Sequence, residues 1–264
     1  MSRFCTDDIY SLMPDELCRK LSISIAKELG STNTELKKLA MAGAEEGSVL
    51  IALKQSGGRG RLGRSFYSPN GTGLYISVLV RPRLKAEETV FVTAMSAVCM
   101  ARAIDRLCGK HALIKWVNDI FLDAKKVCGI LCESAFEQSS MLSEYVVIGA
   151  GVNIYPPENG FPEDISSVAG ALFDNALPDE LRPRLAAEFL KELFAAYGSL
   201  EHRSFLDEYK SRSMVCGRRI NVIAPEGARE ADALYIDDSC RLVVRYDDGI
   251  IAPLSKGEIS IRLK

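Results

Sequence analysis

Hydrophobic positions along the chain alternate between two periods. Leu12, Met13, Leu17 and Leu21 are spaced for a short helix. Residues 22–29 read as a strand. Gly30-Ser31-Thr32-Asn33 interrupts, and 34–41 reads as a helix with Leu36, Leu39 and Ala40 on its inner side, capped by Ser31 or Thr32. A turn at 43–47 precedes an apolar strand at 49–53, and a second strand at 74–80 ends at Arg81-Pro82. Residues 86–108 carry the broad apolar face of a long helix, closed by Gly109. Short strands follow at 113–116, 120–122 and 127–132, the last two flanking Asp123-Ala124-Lys125-Lys126 as a hairpin. A strand at 145–148 runs into Gly149-Ala150-Gly151-Val152-Asn153-Ile154, where small residues admit close backbone approach. A proline-bearing loop at 156–162 leads to helices near 167–175, 179–197 and 205–211.

The pattern changes near residue 215. Short β-rich pieces at 219–223, 233–236, 241–246, 250–252 and 259–263 alternate with aspartate-rich turns, as in a small barrel. The predicted organisation is a mixed α/β domain over 1–213 and a small β domain over 214–264.

Composition narrows the function classes. With 264 residues, 47% hydrophobic and 26% charged, the chain can bury a core and does not read as disordered. No apolar run reaches the roughly 18 residues of a membrane span. The first ten residues are polar, with two aspartates, unlike a secretory signal. A cytoplasmic protein without a membrane partner is expected. The net charge of −2 offers no global basic field for nucleic acid. Eight cysteines form no CxxC pair, and with only His111 and His202 present, zinc-ligand spacing is absent. Cys128 and Cys132 share one face of the predicted strand, which favours core packing, with a redox pair as the alternative.

One segment stands apart, Gln55-Ser56-Gly57-Gly58-Arg59-Gly60-Arg61-Leu62-Gly63-Arg64. Glycines permit close backbone approach, and arginines supply charge and planar donor forks suited to phosphate. A polyanionic ligand is expected. The spacing Gly58-x-Gly60-x-x-Gly63 formally matches the dinucleotide fingerprint, but that motif must open a helix. Here Ser65-Phe66-Tyr67-Ser68-Pro69-Asn70-Gly71 follows, without helical period, and the loop joins strand to strand. The lysine-rich turn at 125–126, the cap at Ser31 and the core position of Trp116, the only tryptophan, each have a purely structural reading as well.

Ser31-Thr32-Asn33, the Gly-Arg-Gly-Arg-Leu-Gly-Arg loop at 58–64, Lys115-Trp116-Val117-Asn118-Asp119 and Lys126-Val127-Cys128-Gly129-Ile130-Leu131 together resemble the biotin–protein ligases, over nearly the whole chain. The resemblance implies an α/β catalytic domain of the class II aminoacyl-tRNA synthetase type with a mixed sheet, and an SH3-like C-terminal barrel. It implies ATP with Mg²⁺, biotin as substrate, biotinyl-5′-AMP as intermediate, and a biotin carboxyl carrier domain of a carboxylase as acceptor. By resemblance, Ser31, Thr32, Asn33, Gln55, Gly58, Arg59, Gly60, Arg61, Lys126 and Gly129 lie on the biotin side. Arg64, Phe66, Lys115, Trp116, Asn118 and Asn153 lie on the nucleotide side, and Asp119 is a metal contact. Arg61 and Lys126 are the expected catalytic residues.

The chain departs from the family pattern at Phe66, where tryptophan is common, and at Val117, where proline is usual. Phe66 can stack on adenine but cannot donate a hydrogen bond. The short N-terminal stretch before residue 22 is expected to lack a DNA-reading domain, so no specific DNA binding is expected, and a homodimer is a compatible assembly. The rivals are a lipoate–protein ligase, which is expected to lack the Gly-Arg-Gly-Arg-x-Gly-Arg loop, a ligand-sensing transcriptional regulator and an inactive nucleotide binder.

Overall fold

The computed structural model describes residues 4–175, 180–224, 227–255 and 258–261. Two short helices, α1 (Thr6–Tyr10) and α2 (Asp15–Cys18), stand where one was expected. Pro14 separates them, since proline cannot continue a helix. Strand β1 (Ser22–Ala26) stops three residues earlier than predicted, because only these five residues pair in parallel with β2 (Ser48–Ala52). Between them lies α3 (Thr32–Met41), capped by Ser31. Leu36 and Ala40 are buried as expected, but Leu39 is 49% exposed. The helix is rotated so that Asn33 takes the inward position.

Strand β3 (Gly73–Val80) precedes a 3-10 turn at Ala86–Glu88 and the long helix α4 (Thr89–Cys108). Gly109 ends α4 at φ +66°, a left-handed conformation that glycine adopts freely. The strands β4 (Leu113–Lys115), β5 (Asp119–Leu122), β6 (Lys125–Phe136) and β7 (Ser143–Asn153) complete a seven-stranded mixed sheet. Its order is β1-β2-β3-β7-β6-β5-β4, antiparallel throughout except for the first pair.

The two faces of this sheet differ. Leu74, Ile76, Val78 and Val80 of β3 and Val146, Ile148, Ala150 and Val152 of β7 join one large core with α4 and with α6 (Leu181–Tyr197). On the other face, α3 covers only the end formed by Leu50, Leu79, Tyr145 and Val147. Beyond α3, that face carries Ser77, Gly129, Gly149 and Gly151 between the side chains of Tyr75 and Leu131, so side-chain bulk is scarce along its middle. The arginine–glycine loop lies over this bare region.

No helix spans 167–175. A single turn, α5 (Glu163–Ser166), precedes a segment that bonds along sheet margins instead: Lys126 N–H donates to Val168 O, Gly170 N–H to Lys126 O, and Leu172 N–H to Asn153 O. Those backbone groups are committed to the strands, which precludes a helix. Asp179, the predicted start of the next helix, is outside the described residues; α6 begins at Leu181. A short helix α7 (Leu206–Ser211) leads to a separate five-stranded antiparallel sheet of the SH3-like type. Its strands are β8 (Arg219–Ala224), β9 (Gly227–Ile236), β10 (Leu242–Tyr246), β11 (Ile251–Leu254) and β12 (Glu258–Ile261). The predicted last strand ran to 263, and residues 262–263 are outside the described residues.

All eight cysteines are free thiols. Cys128 and Cys132 lie four residues apart on β6, about 13 Å along a strand, beyond disulfide reach. Burial pushes Cys99, Cys132 and Cys240 up to about 12, so these thiols stay protonated at neutral pH. No helix among the described residues is long and apolar enough to cross a membrane.

Candidate active site

The loop is a narrow hairpin. Phe66 N–H donates to Gly58 O at 2.9 Å and Gly60 N–H to Arg64 O at 2.7 Å, with Arg59 and Ser65 bridged between them. A 3-10 turn, Arg61–Gly63, forms the tip. A Cβ on Gly58 would stand 2.3 Å from Phe66 O, so only glycine lets the two arms close. The loop stem is tied to the turn before α3, through Gly57 N–H to Gly30 O at 2.8 Å and Ser56 N–H to Leu29 O at 3.0 Å.

Two neighbouring cavities lie under this hairpin. The larger, of about 120 Å³, is lined by Arg59, Gly60, Arg61, Arg64, Phe66, Lys115, Trp116, Asn118, Asp119, Lys126 and Gly129, among others. Five cations face one carboxylate there, a balance suited to a polyphosphate. The smaller, of about 30 Å³, is lined by Ser31, Thr32, Asn33, Gln55, Arg59, Phe66, Gly129, Leu131, Gly149, Ala150 and Gly151. Its polar groups are mostly neutral. Arg59, Phe66, Gly129 and Leu131 border both cavities. Both are below the roughly 300–1,000 Å³ typical of ligand pockets.

The small cavity is built from a hydrogen-bond chain. Thr32 donates to Gln55 Oε1 through its N–H at 2.8 Å and its hydroxyl at 3.1 Å. Gln55 Nε2 donates to Ser68 Oγ at 3.0 Å, and Ser68 Oγ to Phe66 O at 2.9 Å. Ser77 Oγ lies 2.8 Å from Thr32 Oγ1 and donates to Asn33 Oδ1 at 2.6 Å. Asn33 Nδ2 donates to Leu131 O and to Glu133 Oε2, each at 3.1 Å. Ser31, Thr32 and Asn33 are each 4% exposed. Ser31 Oγ accepts from Thr34 N–H at 3.5 Å, so the cap and the cavity wall are the same residue.

In the larger cavity, Arg61 Nη1 donates to Asn118 Oδ1 at 3.2 Å and Asn118 Nδ2 to Ile130 O at 2.7 Å. Lys126 Nζ pairs with Asp119 Oδ1 at 2.8 Å. The Phe66 ring lies against the cross-strand glycine pair of Gly129 and Gly151; a Cβ on Gly151 would meet it at 2.6 Å. Trp116 is buried and donates from Nε1 to Cys240 O at 2.9 Å, and it also lines the larger cavity. The Trp116–Val117 peptide bond is cis. Asn153 lies on neither cavity wall; its Nδ2 donates to Gly170 O at 3.0 Å and anchors the segment after α5. Gly58 also lies on neither wall and acts inside the hairpin.

Among the described residues no group of three or more His, Cys, Asp or Glu side chains could cage a metal. Asp119 is the sole carboxylate on the larger cavity's wall and is held by Lys126. Mg²⁺ commonly binds through one or two carboxylates, substrate phosphates and waters. The donor set therefore fits a Mg²⁺ that arrives on phosphate, with Asp119 as a protein ligand.

Sequence reasoning missed Ser77, Ser68, Lys37, Leu131, Glu133 and the reason for Gly149 and Gly151. Ser77 was visible as the one small polar residue in the stretch 74–80. Glu133 was visible as a charged residue in phase with Gly129 and Leu131.

Residues 26–153 match the biotin/lipoate A/B protein ligase family, and residues 215–262 match the biotin protein ligase C-terminal domain. The chain is 35% identical to the bifunctional ligase/repressor BirA of Bacillus spizizenii, over 84% of this chain and 69% of that protein. It is 32% identical to the biotin–[acetyl-CoA-carboxylase] ligase of Paracoccus denitrificans, over 83% and 92% respectively. Its fold superimposes on the biotin protein ligase from Aquifex aeolicus in complex with biotin and ATP with a TM-score of 0.74. That match has 24% identity over 92% of this chain and 99% of that one. Sequence and fold thus agree over both parts of the molecule, and the chain belongs to the biotin protein ligase family.

Proposed function

We infer that the protein joins biotin to a lysine of a biotin carboxyl carrier domain in two steps, the first of which consumes ATP. The observation that carries this reading is the pair of cavities meeting at Arg59, Phe66 and Gly129, one neutral and hydrogen-bonding, the other cationic. A ureido ring suits the first and a triphosphate the second. The reacting carboxylate and α-phosphate then meet at their junction.

In the first step the biotin carboxylate attacks the α-phosphorus, biotinyl-5′-AMP forms and pyrophosphate leaves. Two anions must approach, so the barrier is largely electrostatic. Lys126 neutralises the attacking carboxylate after exchanging its Asp119 partner for it. Arg59, Arg61, Arg64 and Lys115 offset charge on the phosphates. Phe66 and Trp116 are the aromatic surfaces available to adenine. Mg²⁺, when bound, offsets phosphate charge beside Asp119. In the second step a neutral lysine amine attacks the acyl carbonyl and AMP leaves. No enzyme nucleophile is required. Arg61, at the hairpin tip, closes over the adenylate. A domain division between 213 and 214, a homodimer and a cytoplasmic location belong to the same reading.

The test is ATP–pyrophosphate exchange with biotin or lipoate, followed by labelling of a carrier domain. Exchange driven by biotin alone is expected. Exchange driven by lipoate and not biotin would overturn the substrate assignment.

A further inference from the structure

Glu133 lies on β6 beyond both cavities, in phase with Gly129 and Leu131. Three groups from two other elements converge on its carboxylate. Lys37 Nζ of α3 reaches Oε1 at 2.8 Å, and Arg59 Nη1 of the hairpin reaches the same oxygen at 3.2 Å. Asn33 Nδ2 of α3 donates to Oε2 at 3.1 Å. Burial pushes the Glu133 carboxyl up, but hydrogen bonds from Lys37 and Asn33 and the charges of Lys37 and Arg59 outweigh it. The group is held below its ordinary value and stays ionised at neutral pH.

The two site groups depend on this carboxylate in different ways. Asn33 has its oxygen held by Ser77 and its nitrogen shared between Leu131 O and Glu133, so its amide has one orientation. Arg59 has a half-exposed side chain, at 47%, on a hairpin joined to the body through its stem. The Glu133 carboxylate draws its guanidinium down onto the edge shared by both cavities.

We propose that Glu133 is a positioning residue that acts through Arg59 to hold the hairpin over the biotin-side cavity. The proposal rests on the biotin assignment above. Glu133 touches no reacting atom. Its removal therefore weakens capture of biotin while leaving the chemical step nearly intact once biotin is saturating, a signature that general loss of folding would not give.

The experiment is a double-mutant cycle on the full chain. It uses Glu133→Gln, Arg59→Gln, the double variant and Lys37→Met, with biotin affinity measured by calorimetry and exchange kinetics measured at saturating biotin. Glu133→Gln keeps the size and one acceptor oxygen but removes the charge and turns the other oxygen into a donor, and a thermal melt verifies folding. The expected result is a biotin Kd about tenfold weaker in Glu133→Gln, the scale of one lost charge-assisted hydrogen bond, with kcat within about threefold. In the Arg59→Gln background the same change costs about threefold or less, since interacting sites are non-additive and only the Asn33 and Lys37 contacts, lost in both backgrounds, remain to be removed. Lys37→Met has a smaller effect than Glu133→Gln. Full additivity, an unchanged Kd, or a Lys37→Met phenotype equal to that of Glu133→Gln would overturn the proposal. Wild-type protein that takes up no biotin would overturn the functional reading as well, whereas wild-type uptake with an unaltered variant sinks Glu133 alone.

Discussion

Gly149 lacks a side chain because Asn33 stands where one would be. A Cβ there would lie 2.1 Å from Asn33 Oδ1, and Asn33 is buried and bonded at both ends of its amide. Gly149→Ala is therefore expected to cost about 1–3 kcal/mol of stability and at least tenfold in biotin affinity, read by denaturant melts and calorimetry. Gly151→Ala meets instead the edge of the Phe66 ring, which can turn outward, so its stability loss should be smaller. Equal losses in both would contradict this account. Lys126→Ala should lower biotin-dependent exchange by about 10²–10³, the scale of one lost transition-state donor, while ATP affinity changes far less. If both fall together, Lys126 is structural. Arg61→Gly removes the hairpin-tip cation and its bond to Asn118. The expected outcome is continued adenylate synthesis with escape of the intermediate, seen as labelling of a bystander protein such as albumin. Unaltered acceptor selectivity would count against it.

At the scale of elements, the segment from Lys115 to Asp119 is a turn clamped from outside. Trp116 Nε1 bonds Cys240 O in the turn between β9 and β10, and Tyr209 Oη of α7 donates to Val117 O at 2.8 Å. Trp116→Phe leaves the Cys240 carbonyl without this donor and should destabilise by about 1–3 kcal/mol. It should also raise the KM for ATP while that for biotin stays put, and a raised biotin KM alone would contradict the clamp. This dependence on a partner 124 positions away explains what periodicity could and could not reveal. The long helix α4, its glycine stop and the strand-to-strand setting of the arginine loop followed from local pattern, as local propensity and packing agree there. The helix expected at 167–175 failed because its backbone pairs with β6 and β7, a long-range demand without local signal. Leu39 was misplaced because polar contacts of Asn33, not apolar spacing, set the rotation of α3. For the site, the cationic loop and the lysine-bearing strands were legible from residue type. Glu133 and Ser77 were not singled out, since their role depends on which strand lies beside which.

At the scale of the molecule, α3, the hairpin and β6 are held together by one ionised carboxylate, and α4, α6 and α7 by others. Burial raises Glu208 and Glu188, but hydrogen bonds to Arg102 and Arg212 for the first, and to Lys191 and Arg106 for the second, hold both below their ordinary value, as for Glu133. A carboxyl whose folded pKa is depressed contributes stability that is complete above its unfolded pKa and is lost as pH falls through the folded value. The urea midpoint should be steady down to about pH 5 and decline below about 4.5. Glu133→Gln should flatten part of that decline, and a midpoint unchanged between pH 5 and 3 would refute it. The central claim is that a neutral cavity and a cationic cavity meet so that a carboxylate can be adenylated. Biotin-dependent exchange of labelled pyrophosphate into ATP measures that step alone. Exchange should require biotin and fall by about 10²–10³ in Lys126→Ala; exchange independent of biotin, or absent with a folded protein, would contradict this claim.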